Sequence, residues 1–280
     1  MASILVLTHA HDRFRACDYI LRRFVRSWLD SGHRVAVARG LGDWPEADIA
    51  ILHVDLSVVP ETYVQATARY PIVLNGAATD IRKRAVSRQL LQRGEPWDGP
   101  VIVKTDLNCG GQSEVRTHQR ALLDGSSEGR LTNDLSVLAG AEYPVLASVD
   151  EVPDAVWNNR DLVVERFLPE QDAQGYWMRT WLFFGDQDRC SRHLGRDPVL
   201  KSSGILASEP SAVPDALRAE RQRLGFDYGK FDFVVHDGRA ILLDANKTPW
   251  MPTGAPPEFE AALPDLARGI EACIGDRAMS

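Results

Sequence analysis

Cysteine is scarce in this chain. Only Cys17, Cys109, Cys190 and Cys273 occur in 280 residues, far apart and without a C-x-x-C pair. That excludes a disulfide framework or a cysteine zinc site as the basis of the fold, and it predicts reduced thiols in the cytoplasm. No apolar run approaches the ~18 residues that a membrane span needs. The apolar run that opens the chain, Ile4 to Leu7, is short and has no basic stretch before it, so it reads as a first strand rather than a signal peptide. Positive charge is in deficit, with 32 Lys and Arg against 39 Asp and Glu for a net −7, which argues against nucleic acid as a partner. There is no internal repeat. Neither G-x-x-x-x-G-K-[ST] nor G-x-G-x-x-G occurs, so a Walker loop and a dinucleotide fingerprint are both missing.

What is present suits a soluble globular protein of more than one domain, with 44% apolar and 25% charged residues. Ile4–Leu7, Arg34–Val37, Ile49–Leu52 and Ile72–Leu74 read as strands. Phe14, Cys17, Leu21, Phe24, Val25 and Trp28 recur at helical spacing, with Gly32 as a stop, and a second helix is expected near Glu61–Tyr70. This alternation predicts a parallel α/β domain over residues 1–77. An Arg-rich helix over 79–92, the strand Val101–Lys104 with its glycine loop and the strand Leu162–Glu165 define a second region, 78–168. The polar stretch Thr117–Glu142 within it reads as a loop or lid. Residues 169–280 contain further strands, Trp177–Phe184, Phe231–Val235 and Ala240–Ala245, so the rest of the chain reads as α+β with antiparallel pieces.

The sharpest local signal is Lys230-Phe-Asp-Phe-Val-Val-His-Asp-Gly-Arg-Ala-Ile-Leu-Leu-Asp-Ala-Asn246. Two apolar strands flank Asp237-Gly238, a hairpin signature. Period two puts Leu242, Asp244 and Asn246 on one face. A two-residue turn would pair His236 with Arg239 and set Asp232 opposite Leu243, facing away from Asp244. A three-residue turn with Gly238 as a bulge sets it opposite Leu242, on the face of Asp244 and Asn246, and this geometry is expected. Polar residues on a solvated edge are the plainer reading of a lone Asp. Here the strands are strongly apolar, and neighbouring buried carboxylates require a cation or a proton. Asp232, Asp244 and Asn246 are therefore the candidate metal ligands, hard oxygen donors suited to Mg²⁺.

Lys104 ends an apolar strand, where an ammonium group is unexpected unless it meets an anion. Asn108-Cys109-Gly110-Gly111 follows, and its glycines allow backbone N–H groups to approach phosphate oxygens. Alone, each feature is commonplace, since strand-end lysines are usually solvated and G-G is frequent in turns.

Taken in order, the strand lysine Lys104, the glycine loop, Val163-Val164-Glu165-Arg166-Phe167-Leu168, and Asp232 with Asp244-Ala245-Asn246 resemble the ATP-grasp superfamily over about residues 72–255. The pattern is similar to the ribosomal-protein glutamate ligase and glutathione synthetase type. The resemblance implies a parallel pre-ATP-grasp domain followed by a two-subdomain ATP-grasp fold, with ATP as co-substrate and one or two Mg²⁺ ions, Mn²⁺ being a substitute. It implies that Lys104 holds the α- and β-phosphates beneath Gly110 and Gly111. Glu165 and the backbone of Arg166, Phe167 and Leu168 would meet the adenine, and Glu170 the ribose. Arg179 would contact the γ-phosphate and the reacting centre, and Lys201 or Arg192 would add charge. Of the basic pair Lys83 and Arg84, alignment on Gln89-Leu90-Leu91 favours Arg84 as a nucleotide contact. Three features depart from the pattern: a short connection over Gln92–Pro100, Asp244 where Glu is commoner, and Lys247-Thr248-Pro249 where Ser-Pro is frequent.

The implied activity is carboxylate–amine ligation through an acylphosphate, with small-molecule or peptide substrates and neither nucleic acid nor membrane as partner; a homo-oligomer is compatible. A small-molecule kinase on the same scaffold and an inactive nucleotide-binding regulator are the alternatives. A nicotinamide-dependent oxidoreductase fits residues 1–77 at fold level only. His9, His11 and Asp12 follow the first strand, where loops of parallel domains often line ligand sites; a solvent-facing loop with a helix cap is the plainer expectation. Cys109 reads as a spacer.

Overall fold

The computed structural model describes residues 1–131, 143–252 and 254–275. The N-terminal strands β1 (Ser3–Thr8), β2 (Arg34–Arg39), β3 (Ile49–Leu52) and β4 (Ile72–Leu74) form a parallel sheet in the order β2-β1-β3-β4. Its central strands are apolar on both faces. Ile4 to Leu7 and Ile49 to Leu52 are all buried, as a parallel strand covered on both sides requires. The helices α1 (Ile20–Asp30) and α2 (Glu61–Thr67) make the crossovers. Phe14 and Cys17 are buried as expected but lie ahead of α1. Gly32 does follow its end, with φ +86°.

The middle of the chain forms a four-stranded antiparallel sheet. The short helix α3 (Lys83–Val86) precedes β5 (Leu90–Leu91), and β6 (Val101–Thr105), helix α4 (Gln112–Leu123), β7 (Val145–Leu146), helix α5 (Asp154–Trp157) and β8 (Leu162–Arg166) follow. The strand order is β5-β8-β6-β7. The helix expected over 79–92 is thus one turn long. Asp80 holds the backbone N–H and guanidinium of Arg82, while Leu90 and Leu91 are drawn into pairing with β8. The loop expected from Thr117 instead starts inside α4, and residues 132–142 of that expectation lie outside the described residues.

The third sheet contains β9 (Glu170–Asp172), β10 (Gly175–Phe184), β11 (Gln187–Gly195), β12 (Ala207–Pro210), β13 (Tyr228–His236) and β14 (Arg239–Asn246). Its order is β12-β11-β10-β13-β14, with β9 added to β10. The helices α6 (Asp215–Arg223), α7 (Pro257–Ala267) and α8 (Gly269–Gly275) accompany it. Among the described residues no helix is long and apolar enough to cross a membrane.

The cores show which layers are fused. One cluster joins Ile4, Phe24 and Trp28 to Phe184, Tyr228, Leu263 and Ile270, so the first and third sheets share a core. The Trp28 indole N–H donates to the Ala267 carbonyl at 2.8 Å, and the Asn75 side chain bonds the backbone at Asp227 and Tyr228. The second sheet has a core of its own around Leu91, Val101, Val152 and Val164. A cleft lies between it and the third sheet.

Candidate nucleotide and metal site

The cleft is about 920 Å³, its open mouth included. Lys104, Glu165 and Ile102 face it from the second sheet. Asp232, Val234, Leu243, Asp244 and Met178 face it from the third, and Arg166, Phe167 and Leu168 line it where the chain passes between them.

The hairpin reaches this arrangement by a route different from the expected one. Its turn has two residues, with His236 opposite Arg239, and Asp237 and Gly238 both at positive φ, +48° and +74°. The expected three-residue turn is therefore not present. The compensation comes further along the ladder. Phe233 pairs with Leu242 but Asp232 pairs with Asp244, so Leu243 is an extra residue in β14. This bulge shifts the alternation by one and returns Asp232 to the face of Asp244 and Asn246. It also lets Leu243 and Asp244, successive residues, both line the cleft.

Ammonium groups balance these carboxylates, those of Lys83 and Lys104 buried and that of Lys230 partly exposed. Lys83 Nζ lies 2.5 Å from Asp244 Oδ1, Lys230 Nζ 3.0 Å from Asp232 Oδ2 and Lys104 Nζ 2.7 Å from Glu165 Oε2. Burial lowers the pKa of Lys83 and of Lys230, but the charge and hydrogen bond of the paired Asp outweigh it and raise both. Asp232 Oδ1 and Glu165 Oε1 are buried with no partner among the described residues. The Asn246 amide oxygen accepts the Thr248 backbone N–H at 2.9 Å.

These donors fit a hard divalent cation. Two carboxylates and an amide oxygen share one face, and Asp232 Oδ1 is an orphaned acceptor; Mg²⁺ is typically held by one or two such carboxylates together with phosphate oxygens. Among the described residues no group of three or more His, Cys, Asp and Glu side chains could hold a metal by itself. The set is thus suited to a cation that arrives with phosphate.

Of the candidates from the sequence, Arg84, Glu170, Arg179, Lys201, Gly110, Gly111 and Asn246 are not among the residues that line the cleft. Arg84 turns away, with its guanidinium on Asp106 and on the carbonyls of Arg160 and Leu162. Its neighbour Lys83, which is 3% exposed, points in. Arg179 pairs across β10 and β13 with Phe233, whereas Thr180 pairs with Asp232, so the alternation sends Arg179 to the opposite face. There it meets Glu170 bidentately, and Glu170 also accepts the Val235 N–H; neither residue lines the cleft. Lys201 lines a neighbouring hollow that shares Tyr143 and Val199 with the cleft. Gly110 and Gly111 have φ +68° and +73° in the turn before α4. Between Asn108 and Gln112 they make the sharp reversal that side-chain-bearing residues rarely allow. Cys109, between Asn108 and these glycines, is exposed.

No protein-family model and no curated protein sequence matches the chain. Solved structures do. The D-alanine–D-alanine ligase of Bacillus anthracis complexed with ATP is 14% identical, with a TM-score of 0.52 over 100% of this chain and 99% of that one. The D-cycloserine synthetase DcsG is 12% identical, with a TM-score of 0.50 over 96% and 99%. The macrocyclase MdnC from Microcystis aeruginosa MRC, bound with precursor peptide MdnA, is 11% identical, with a TM-score of 0.50 over 96% and 99%. The chain has the ATP-grasp fold. At such identities the likeness concerns the course of the backbone over nearly the whole chain.

Within this ATP-grasp fold, a second polar group was only partly recognised in the sequence, which singled out His9, His11 and Asp12 but not Tyr19, His53, Asp55 or Lys247. His9, His11 and Asp12, expected in a solvent-facing loop, are buried. The Tyr19 hydroxyl lies 2.8 Å from Asp12 Oδ2 and 3.1 Å from Asp55 Oδ2. Burial raises the Asp12 pKa to about 6 and lowers that of His53 to about 3. The Lys247 ammonium is 1% exposed and has no hydrogen-bond partner among the described residues. The only sequence signal for the group is the position of Asp12 and Asp55 just past the carboxyl ends of β1 and β3.

Proposed function

We propose that this chain is an ATP-dependent ligase that joins a carboxylate to an amine. The supporting observation is that Lys83 from α3, Lys104 from the second sheet and Asp232 and Asp244 from the third all face one cleft. Lys104 and Lys83 are placed to pair with phosphate oxygens, leaving Glu165 and Asp244. Glu165 and the chain at Arg166–Leu168 accept the adenine against Ile102, Met178 and Leu243. Asp232, Asp244 and Asn246 hold Mg²⁺, which when bound neutralises phosphate charge.

In the first step an oxygen of the substrate carboxylate bonds to the γ-phosphorus while the bond from that phosphorus to the β,γ-bridging oxygen breaks, releasing ADP. In the second, the amine nitrogen bonds to the acyl carbon, the carbon–oxygen bond to phosphate breaks, and the nitrogen loses a proton. The residues act by positioning and by charge stabilisation, the main contributions available to a protein in phosphoryl transfer. The two sheets exclude water from the acylphosphate. Such a protein works in the cytoplasm with small-molecule or peptide substrates.

The test is ADP release with Mg²⁺-ATP across paired acids and amines. Lys104→Ala and Asp244→Ala should each slow it by about 100-fold or more, the loss typical when a preorganised charge contact is removed. Unchanged turnover in both variants would reject the reading. A stable phosphorylated product formed without an amine would replace the ligase by a kinase.

A further inference from the structure

We propose that Asp55 is a positioning residue of the transfer site, one that ties the N-terminal sheet to the glycine loop and to Asn246. The inference rests on the assignment of Asn246 as a metal ligand. Asp55 lies just past β3, outside every motif that marks the cleft. Its Oδ1 accepts the Thr248 hydroxyl at 2.7 Å. Its Oδ2 accepts Ser113 Oγ at 3.0 Å, with Tyr19 at 3.1 Å and Arg116 at 3.5 Å on the same oxygen. Ser113 is in the first turn of α4, directly after Gly110 and Gly111. Two residues on, Ser57 Oγ accepts the Asn108 N–H at 2.9 Å, and the Ser57 N–H donates to Glu114 at 2.6 Å. The turn Asp55–Ser57 therefore clasps both ends of the glycine loop and, through Thr248, the chain after β14.

The hydrogen-bond directions give this clasp a chemical role. A carboxylate only accepts, so the single Thr248 hydroxyl proton is committed to Asp55. The Thr248 backbone N–H then orients the Asn246 oxygen at 2.9 Å, while the Thr248 hydroxyl stands 3.5 Å from that oxygen with its proton turned elsewhere. One amide lone pair meets the N–H, and the second is the one a cation would take. Without Asp55, the Thr248 hydroxyl is free to turn its proton onto that second lone pair, and the backbone of residue 248 loses its anchor. Partners of this kind orient a metal ligand without touching the metal.

The probe is Mn²⁺, titrated by electron paramagnetic resonance into the protein saturated with a non-hydrolysable ATP analogue. Thr248→Val should weaken Mn²⁺ by about 10–100-fold, as lost outer-shell partners do, and leave analogue binding without metal unchanged, while the Asp55 oxygen left without its donor lowers the melting temperature by a few degrees. Thr248→Ser, which keeps the hydroxyl, should restore wild-type affinity. Asp55→Ala added to Thr248→Val should cost little beyond the single change, because both remove one contact. If Asp55→Ala does not fold, the Val and Ser variants decide alone. Wild-type affinity in Thr248→Val, or equal losses in Val and Ser, would overturn the proposal. Asp244→Asn separates the two levels of argument. If it abolishes Mn²⁺ binding while Thr248→Val does not weaken it, the clasp fails alone; if it leaves Mn²⁺ binding intact, the metal assignment fails.

Discussion

At the scale of single residues, the cleft is built from ammonium groups resting on the carboxylates that a metal would need. Lys83 sits on Asp244 at 2.5 Å and Lys230 on Asp232 at 3.0 Å. A cation arriving without phosphate must displace the buried Lys83 ammonium from Asp244, and a buried charge left unpaired is costly. On the proposed function, nucleotide and metal together would solve this, since the phosphates would take the ammonium groups as the metal takes the carboxylates. Lys83→Gln should therefore have effects of opposite sign. Affinity for the ATP analogue should fall by about tenfold or more, the loss of a charge-assisted contact worth roughly 1.5–3 kcal/mol, while Mn²⁺ binding in the absence of nucleotide should strengthen. Calorimetry for the first and paramagnetic resonance for the second check it; parallel losses in both would mean that Lys83 only supports the fold. The sequence placed a basic pair here but alignment preferred Arg84. What separates the two is the partner of each, Asp244 for Lys83 and Asp106 for Arg84, set by a single turn of α3. No local pattern encodes a contact between residues 161 positions apart.

At the scale of elements, the acidic hairpin was legible and its mechanics were not. Alternating apolar residues around Asp237-Gly238 announce two strands and a turn. The two-residue turn that forms, in place of the expected three-residue one, would separate the carboxylates, and the bulge at Leu243 reunites them. That bulge depends on β10, whose Thr180 pairs with Asp232 on the other side of β13, so it is a tertiary choice. Arg179 failed for the same reason: which face a strand residue takes follows from register, and register across β10 and β13 is not written in either strand alone. The Thr117–Glu142 stretch was misread at its start because α4 has a weakly amphipathic, largely polar sequence. The two-residue turn carries a prediction of its own. Gly238 has φ +74° with nothing within 4 Å of an added Cβ, so Gly238→Ala meets a backbone penalty and no clash. It should destabilise the protein by about 1 kcal/mol, read from the urea midpoint, and leave Mn²⁺ affinity unaltered because the bulge is distant from the turn. A loss of metal binding in a folded Gly238→Ala protein would show that turn and bulge are one unit.

At the scale of the whole molecule, the N-terminal sheet is structurally inseparable from the third sheet. The 1–77 unit is recognisable from its alternation of strands and helices, yet its core runs directly into Phe184, Tyr228 and Leu263, a fusion that periodicity cannot reveal. His53 lies at this junction, fully buried, with its ring 4.6 Å from that of Tyr19 and 6.4 Å from that of Tyr228. Neither ring nitrogen has a partner among the described residues. Burial first, and the Lys247 charge second, lower its pKa from 6.5 to about 3. The unfolded chain then takes up a proton as the pH falls through 6.5, while the folded protein resists until about 3. Stability contributed by a neutral His53 is complete above pH 6.5 and drains away toward pH 3. Asp12 works in the opposite sense, because its folded pKa of about 6 lies above the ordinary 3.8 and acidification across that interval favours the folded state. A comparison with His53→Leu cancels the Asp12 contribution, which both proteins carry. From pH 7 to pH 5 the wild type should lose about 2 kcal/mol of unfolding free energy relative to the variant, measured by urea denaturation at each pH. Parallel pH profiles would mean that His53 is protonated within the fold at pH 5, and that the junction of the two sheets is wetter than its packing indicates.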